Sequence, residues 1–288
     1  MTVRGDYADR MLAAVGVTDA RVADAFAAVP RENFTGPPPW TLFDPGHGNT
    51  KTLAGSDTTP LYDDVLVVLN REKGINNGSP SLHALMLHHL AVAPGDRVLH
   101  IGIGGGYYTA LLAELTGATG RVTAVEYDPR LAALARENLR PWPNVTVIES
   151  DGAAWPREIT ERIYVNFAVV DPATAWFDHL PIRGTLVFPL AAPNPEPDGR
   201  SYRSGLGAVL LITRTAGGYA ARHLSPCGFV LADGPLAGTA EMQQHLHDAF
   251  RRGGAEFVAS MRRGASSPER AWFWSPSWSL SYDKPDAA

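Results

Sequence analysis

Apolar positions in residues 18–29, TDARVADAFAAV, fall at Val22, Ala25, Phe26 and Val29, one face of a helix. Thr18 is the expected N-cap and Pro30 the expected stop. Residues 35–60 are rich in Gly, Pro and Thr without a period, which predicts a long irregular loop. DDVLVVLN (63–70) reads as a short strand. From residue 82 the pattern changes: Leu82, Leu85, Met86, His89 and Leu90 recur at helical spacing. An apolar strand, RVLHIGI (97–103), follows, then a helix, YYTALLAELTG, and a strand, RVTAVEY. The next helix, DPRLAALARENL, carries Asp128 as N-cap and Pro129 at its first position. NVTVIES, RIYVNFAVV and GTLVFPL are the third, fourth and fifth strands. Strands alternating with helices imply a mostly parallel sheet with helices on both faces.

After residue 191 the character shifts. AAPNPEPDGRSYRSG is a Pro/Gly-rich loop, and its Arg200, Tyr202 and Arg203 can clamp a carboxylate or simply be solvated. GAVLLITRTAGGYAARHL predicts an antiparallel hairpin turning at Gly217 and Gly218. TAEMQQHLHDAF is a helix with Met242, Leu246, Ala249 and Phe250 on one face. A basic loop, RRGASSPER, leads to a final aromatic strand, AWFWSPSWSLSY, whose Trp272, Trp274 and Trp278 at even spacing predict one buried face. Three regions result: 1–81, a helical and loop region expected to cover the acceptor site; 82–236, the ligand-binding core; and 237–288, a helix and strand extension.

Composition narrows the function. Apolar residues are 45% of the 288, enough for a real core, and a net charge of −5 with 19% charged residues argues against a nucleic-acid partner. The single cysteine, Cys227, excludes a disulfide framework and a cysteine-rich zinc site and fits a cytoplasmic protein. MTVRGDYADRML lacks the apolar stretch of a signal peptide, and no apolar run is long enough for a membrane partner. Oligomeric state is not readable.

HIGIGGGYY (100–108) follows a strand and opens a helix. A dinucleotide fingerprint needs G-x-G-x-x-G, whereas here Gly102, Gly104 and Gly106 give G-x-G-x-G. That spacing resembles motif I of the class I S-adenosylmethionine-dependent methyltransferases. Glu126 ends the next strand, where an acid can accept both ribose hydroxyls, and Asp151 ends the third, where it can meet the adenine amino group. The candidate cofactor set is Gly102, Ile103, Gly104, Gly106, Tyr107, Glu126, Tyr127, Asp151, Gly152 and His83. One departure is His100, where that class usually carries an acid that helps hold the methionine end.

Further motifs narrow the resemblance. VADAFAAVPRENF (22–34) is similar to the helix and V-P-R-E-x-F signature of protein-L-isoaspartate O-methyltransferases, GINNGSP (74–80) to their G-x-T-I-S-x-P loop, and GTLVFPL to their G-G-R-L-V-x-P strand. The likeness runs over roughly residues 20–235 and leaves the last 50 outside it. It implies an α/β, Rossmann-like class I methyltransferase fold with an antiparallel C-terminal hairpin. It also implies methyl transfer from S-adenosyl-L-methionine to a carboxylate oxygen, with S-adenosyl-L-homocysteine as product.

The acceptor loop departs from the family. Asn76, Asn77 and Gly78 stand where it has Thr, Ile and Ser, so the positioning hydroxyl is missing. Ser79, before Pro80, can supply a hydroxyl or cap the helix that starts there. Asn76 or Asn77 can donate from an amide or only form a turn. Asn166, at the carboxyl end of the fourth strand, stands where this class faces its acceptor. Asn76, Asn77, Ser79 and Asn166 are therefore the candidate catalytic residues. The expected function is carboxylate methylation on an Asp or isoAsp type side chain of a peptide or modified peptide natural product. Methylation of a small-molecule acceptor at oxygen or nitrogen, or cofactor binding without catalysis, are the alternatives.

Overall fold

The computed structural model describes residues 2–71, 74–193, 204–264 and 270–286. Arg200, Tyr202 and Arg203 lie outside the described residues, as does part of RRGASSPER. Contacts divide the chain into two compact units, Met1–Gly152 and Ala153–Ala288, a cut that falls inside the region 82–236.

The first unit opens with α1 (Val3–Ala14), which buries Tyr7, Ala8, Met11 and Leu12. Helix α2 (Ala20–Ala28) buries Val22, Ala25 and Phe26 as its period predicts. Its N-cap is Asp19 rather than Thr18: the carboxylate accepts from the backbone N–H of Arg21 at 3.1 Å and Val22 at 3.3 Å. It also meets His88 Nδ1 at 2.8 Å, a partner that a threonine one residue earlier would not reach.

Residues 35–60 are not an irregular loop. They hold an antiparallel hairpin, β1 (Trp40–Asp44) and β2 (Asn49–Leu53). Asp44 closes the turn by accepting from the N–H groups of Gly46 at 2.9 Å and His47 at 3.2 Å. Four of the five β2 positions are exposed, so the strand carries no apolar alternation to read. β3 (Leu66–Asn70) pairs with β1, and the two-residue β4 (Ile75–Asn76) pairs with β3. Trp40, Leu42, Leu61 and Val67 form a small core there.

The rest of the unit follows the expected alternation: α3 (Pro80–Leu90), β5 (Arg97–Ile101), α4 (Tyr107–Thr116), β6 (Arg121–Glu126), α5 (Pro129–Asn138) and β7 (Val145–Glu149). β5, β6 and β7 are parallel neighbours, with Ile101 opposite Val125 and Glu126 opposite Glu149. Asp128 caps α5, with Pro129 at its first position.

Arg31, in a short turn after α2, is fully buried. Its Nη1 donates to the carbonyls of Leu61 and, at 3.0 Å, Asp63. Its Nη2 donates to the Val65 carbonyl at 2.6 Å and to Asn77 Oδ1 at 3.4 Å. The guanidinium carbon lies 5.9 Å from the ring centres of both Tyr7 and Tyr107.

The second unit contains β8 (Arg162–Val165), α6 (Thr174–Asp178), β9 (Thr185–Pro193), β10 (Ser204–Thr215), β11 (Gly218–Pro226), α7 (Ala240–Arg252), β12 (Ser260–Arg263), β13 (Ala271–Trp274) and β14 (Trp278–Ser281). The order is β8-β9-β10-β11-β12-β14-β13; β8 and β9 are parallel and the other pairs antiparallel. The fold is α/β and Rossmann-like, and its antiparallel part is larger than the expected hairpin. β8 stops earlier than RIYVNFAVV suggests. The β10–β11 turn is Ala216–Gly217, with Gly218 already paired to Thr215.

The last aromatic run is two strands, not one. Ser275 makes the turn: its Oγ donates to the Trp278 carbonyl at 3.0 Å and accepts from the Trp278 N–H at 3.2 Å. Trp272 and Trp278 are buried at 2% and 3% exposure, whereas Trp274 is 38% exposed, so the three do not share one buried face. Among the described residues, no helix is long and apolar enough to cross a membrane.

Replacing Arg31 with leucine strands several carbonyls in the interior. It should lower unfolding stability by at least about 3 kcal/mol, since each buried acceptor left unpaired costs roughly 1–3 kcal/mol. Denaturant unfolding of Arg31→Leu against the parent measures this.

Candidate active site

The glycine loop is set by its backbone. Gly102, Gly104 and Gly106 have φ of +75°, +54° and +94°, a region that side chains disfavour. Gly106 caps α4, and a Cβ there would stand 2.9 Å from Leu139 Cδ1. Ile103 and Tyr107 are buried, and the Tyr107 ring packs against Phe34, Phe26 and Tyr108 with centroids 5.7, 6.3 and 5.0 Å away. These two therefore serve the loop by packing, and what they offer a ligand is backbone.

Glu126, at the end of β6, is buried at 8% exposure. Its Oε2 accepts from Gly104 N–H at 2.8 Å, and its Oε1 from Tyr127 and Asp128 N–H at 3.0 Å each. Burial pushes its carboxyl above the usual carboxylate range, and the three N–H bonds pull it back. A carboxylate has about four acceptor positions, so one remains after these three bonds. The Gly104 bond ties the loop to the strand tip directly. Because β5, β6 and β7 are parallel, their carboxyl ends share one edge, where open α/β sheets bind ligands. Asp151 and Tyr127 are exposed at that edge, Tyr127 at 74%, and Gly152 is buried with its Cβ position 2.1 Å from Ile101 Cγ2. These residues fit a nucleoside held by acidic strand tips and a tight backbone loop.

His100 departs from the usual acid in a definite way. It is buried on β5, and its Nδ1 meets Thr109 Oγ1 of α4 at 2.9 Å. Burial pushes its pKa down to about 3, so the ring is neutral at ordinary pH.

The acceptor loop is built from local bonds. Asn76 closes a turn: its Oδ1 accepts from Gly78 N–H at 2.9 Å and its Nδ2 donates to the Gly74 carbonyl at 3.2 Å. Asn77 extends the β3 pairing, its N–H donating to the Val67 carbonyl at 3.1 Å and its Oδ1 accepting from Val67 N–H at 2.7 Å. Its Nδ2 is buried without a hydrogen-bond partner. Ser79 caps α3, accepting from Leu82 N–H at 3.4 Å and giving its own proton to Asp64 Oδ1 at 2.8 Å. That commits Ser79 to the helix start. Asp64 also takes the Ser81 N–H at 3.1 Å and the Ser81 hydroxyl at 2.5 Å. Asp64 has no local signature in sequence because its partners lie on the far side of β3 and β4.

Gly78 has φ +75°, and a Cβ on it would lie 2.2 Å from His83 Nε2. The His83 ring is buried and stacked on Tyr108, centroids 3.5 Å apart and planes at 11°. Its pKa is held well below the usual histidine value, chiefly by burial and further by His100 and Arg31. The imidazole thus stands where a side chain at position 78 would begin. Asn166 follows β8 in the second unit and is half-buried. Among the described residues, no group of three His, Cys, Asp or Glu could hold a metal ion.

A family model for protein-L-isoaspartate(D-aspartate) O-methyltransferase matches residues 57–199. The chain is 33% identical over 234 residues to protein-L-isoaspartate O-methyltransferase 2 of Anaeromyxobacter sp. (strain Fw109-5), covering 80% of this chain and 82% of that protein. It is 30% identical over 239 residues to protein-L-isoaspartate O-methyltransferase of Koribacter versatilis (strain Ellin345), covering 82% and 90%. In structure it is similar to a protein-L-isoaspartate O-methyltransferase with TM-score 0.65, 20% identity and coverage of 99% and 88%. It is also similar to the Plasmodium falciparum protein in complex with S-adenosyl-L-homocysteine, with TM-score 0.60, 18% identity and coverage of 81% and 99%. At these identities the structural likeness concerns the fold.

Two outcomes follow from the geometry. Gly78→Ser should destabilise the protein by about 2 kcal/mol through its left-handed backbone and the imidazole. A double-mutant cycle with His83→Ala should show a favourable coupling of at least about 1 kcal/mol, since removing the ring makes room. The second concerns pH. His100 stays unprotonated in the folded state down to about 3, while an unfolded histidine takes its proton near 6.5. The unfolded state therefore binds more protons in that window, and stability falls as pH drops through it, by up to about 1.4 kcal/mol per pH unit. His83 acts in the same direction and Glu126, whose pKa is raised, in the opposite one. Urea unfolding across the window should show a shallower pH slope for His100→Asn than for the parent.

Proposed function

The chain belongs to the protein-L-isoaspartate O-methyltransferase family, and we propose that it methylates a peptide carboxylate in a role repurposed from isoaspartyl repair. It is an S-adenosylmethionine-dependent methyltransferase. The acceptor is an Asp or isoAsp type side chain in a peptide or a modified peptide natural product. The observation that carries this reading is the closed slot at position 78, with no hydroxyl and no room for one.

When bound at Glu126, Asp151 and the Gly102–Gly106 loop, S-adenosyl-L-methionine would supply an electrophilic sulfonium methyl for a carboxylate oxygen, with the C–S electron pair leaving on sulfur. A carboxylate needs no base for this, because it has no proton to lose at neutral pH. The protein must hold it, strip its water and aim it. On the cofactor side, Glu126 and Asp151 take the ribose and adenine donors, and the backbone of Gly102–Gly106 makes close approach possible. On the acceptor side, the buried Asn77 Nδ2 is the donor that the chain keeps in hand. Residues 1–81 cover this site in our reading. Neutral His83 fills the serine slot and leaves Asn77 to do the orienting.

Calorimetry should show S-adenosyl-L-homocysteine binding, weakened about tenfold or more by Glu126→Ala. Turnover on an isoaspartyl peptide should run at least about a hundredfold below a serine-bearing relative assayed beside it, the scale of one lost positioning donor. Asn77→Asp, which keeps the oxygen and removes the NH₂, should lose turnover on the true acceptor while still binding cofactor. Full isoaspartyl turnover by the parent protein would sink the changed-acceptor reading.

A further inference from the structure

The second unit holds a cleft of about 260 Å³ that the methyl-transfer reading leaves unused. Asp171, Thr174, Phe177, Met261, Arg263 and Trp278 line it. Half of these come from beyond residue 235, outside both the likeness in sequence and the family match at 57–199.

The charges in the wall do not balance. Arg263 is paired with Asp178, so its positive charge is already answered. Asp171 has one side-chain partner, the Trp278 indole N–H, which donates to Oδ1 at 2.8 Å. Among the described residues, no ion pair reaches Asp171. Its carboxyl is half-buried, and burial raises its pKa with only the neutral indole opposing. A carboxylate taken partly out of water without a counter-charge is costly, and a cation is what the site lacks. Beside it the wall includes three buried apolar residues, Phe177, Met261 and Trp278. Aromatic faces also attract cations.

We propose that this cleft binds an aliphatic chain ending in an ammonium group, the stem against Phe177, Met261 and Trp278 and the charge at Asp171. That is the chemistry of a lysine side chain or of a free alkylamine. The site stands independently of what the methyl acceptor is.

The test uses the full chain and follows the Trp278 indole N–H signal in ¹H–¹⁵N spectra, assigned with Trp278→Phe. The probes are n-butylammonium, N-acetyl-lysine N-methylamide and, as a neutral alcohol one methylene longer than the amine, 1-pentanol. The ammonium probes should shift the signal in the millimolar range, with 1-pentanol weaker by about tenfold. Asp171→Asn keeps an acceptor for the indole and removes the charge. It should weaken the ammonium probes by about tenfold and leave 1-pentanol unchanged. Thr174 is exposed at the cleft, so Thr174→Trp blocks it at little cost to the fold and should abolish binding of all three probes even if the asparagine variant fails to fold. Tighter binding of the lysine derivative assigns the occupant to a polypeptide side chain, and tighter binding of butylammonium to a free amine. Equal binding of ammonium and alcohol, unchanged binding to Asp171→Asn, or no shift at tens of millimolar would overturn the proposal.

Discussion

The first unit depends on one buried guanidinium. Arg31 gathers the carbonyls of Leu61, Asp63 and Val65, which are spaced along a stretch that has no ladder of its own before β3 begins. It also touches the Asn77 amide oxygen, and so reaches the acceptor loop. The rings of Tyr7 from α1 and Tyr107 from the start of α4 lie beside it, each with its centroid 5.9 Å from the guanidinium carbon. Carbonyl dipoles and aromatic faces thus replace water around a charge that would otherwise be very costly to bury. The planar fork of donors is what this arrangement needs; an ammonium has three donors from a single point and could not bridge the same carbonyls. The position of the acceptor loop is in this sense a property of the V-P-R-E segment some forty residues upstream.

The two halves of the chemistry rest on different supports. The cofactor edge is made by three parallel strands and by Glu126 bonded to the glycine loop, and nothing in it involves residue 78. The acceptor loop is made by Asn76, Asn77, Ser79 and Asp64, each spending side-chain oxygens on backbone or helix-start bonds. One half can change while the other is kept. A chain can in this way retain methyl transfer and alter what receives the methyl group.

Much of this was legible in the sequence. The alternation from β5 to β9, the Asp128–Pro129 helix start and the G-x-G-x-G loop all express local physics, in which each residue's role is set within a few neighbours. The misses are long-range or masked. β2 is solvated on nearly every position and carries no hydrophobic period. The N-cap of α2 is Asp19, whose carboxylate also meets His88, far along the chain. The final aromatic run divides because the Ser275 hydroxyl turns the chain, a bond that spacing of tryptophans does not announce. At the site, the glycine at 78 was visible as a missing serine, but the ring that fills its place was not. That required the stacking of His83 on Tyr108 across two helices. Asp64 and Arg31 act on partners that only the folded chain brings near.

The meeting of Gly78 and His83 has a consequence for descent. A single substitution at either position is uphill: a side chain at 78 runs into the ring, and a smaller residue at 83 leaves a hole against Tyr108. Serine at position 78 is reached only through a less stable protein, or by changing position 83 at the same time. The arrangement acts as a ratchet. Packing against the imidazole is by itself enough to hold a glycine at position 78, whatever the acceptor is.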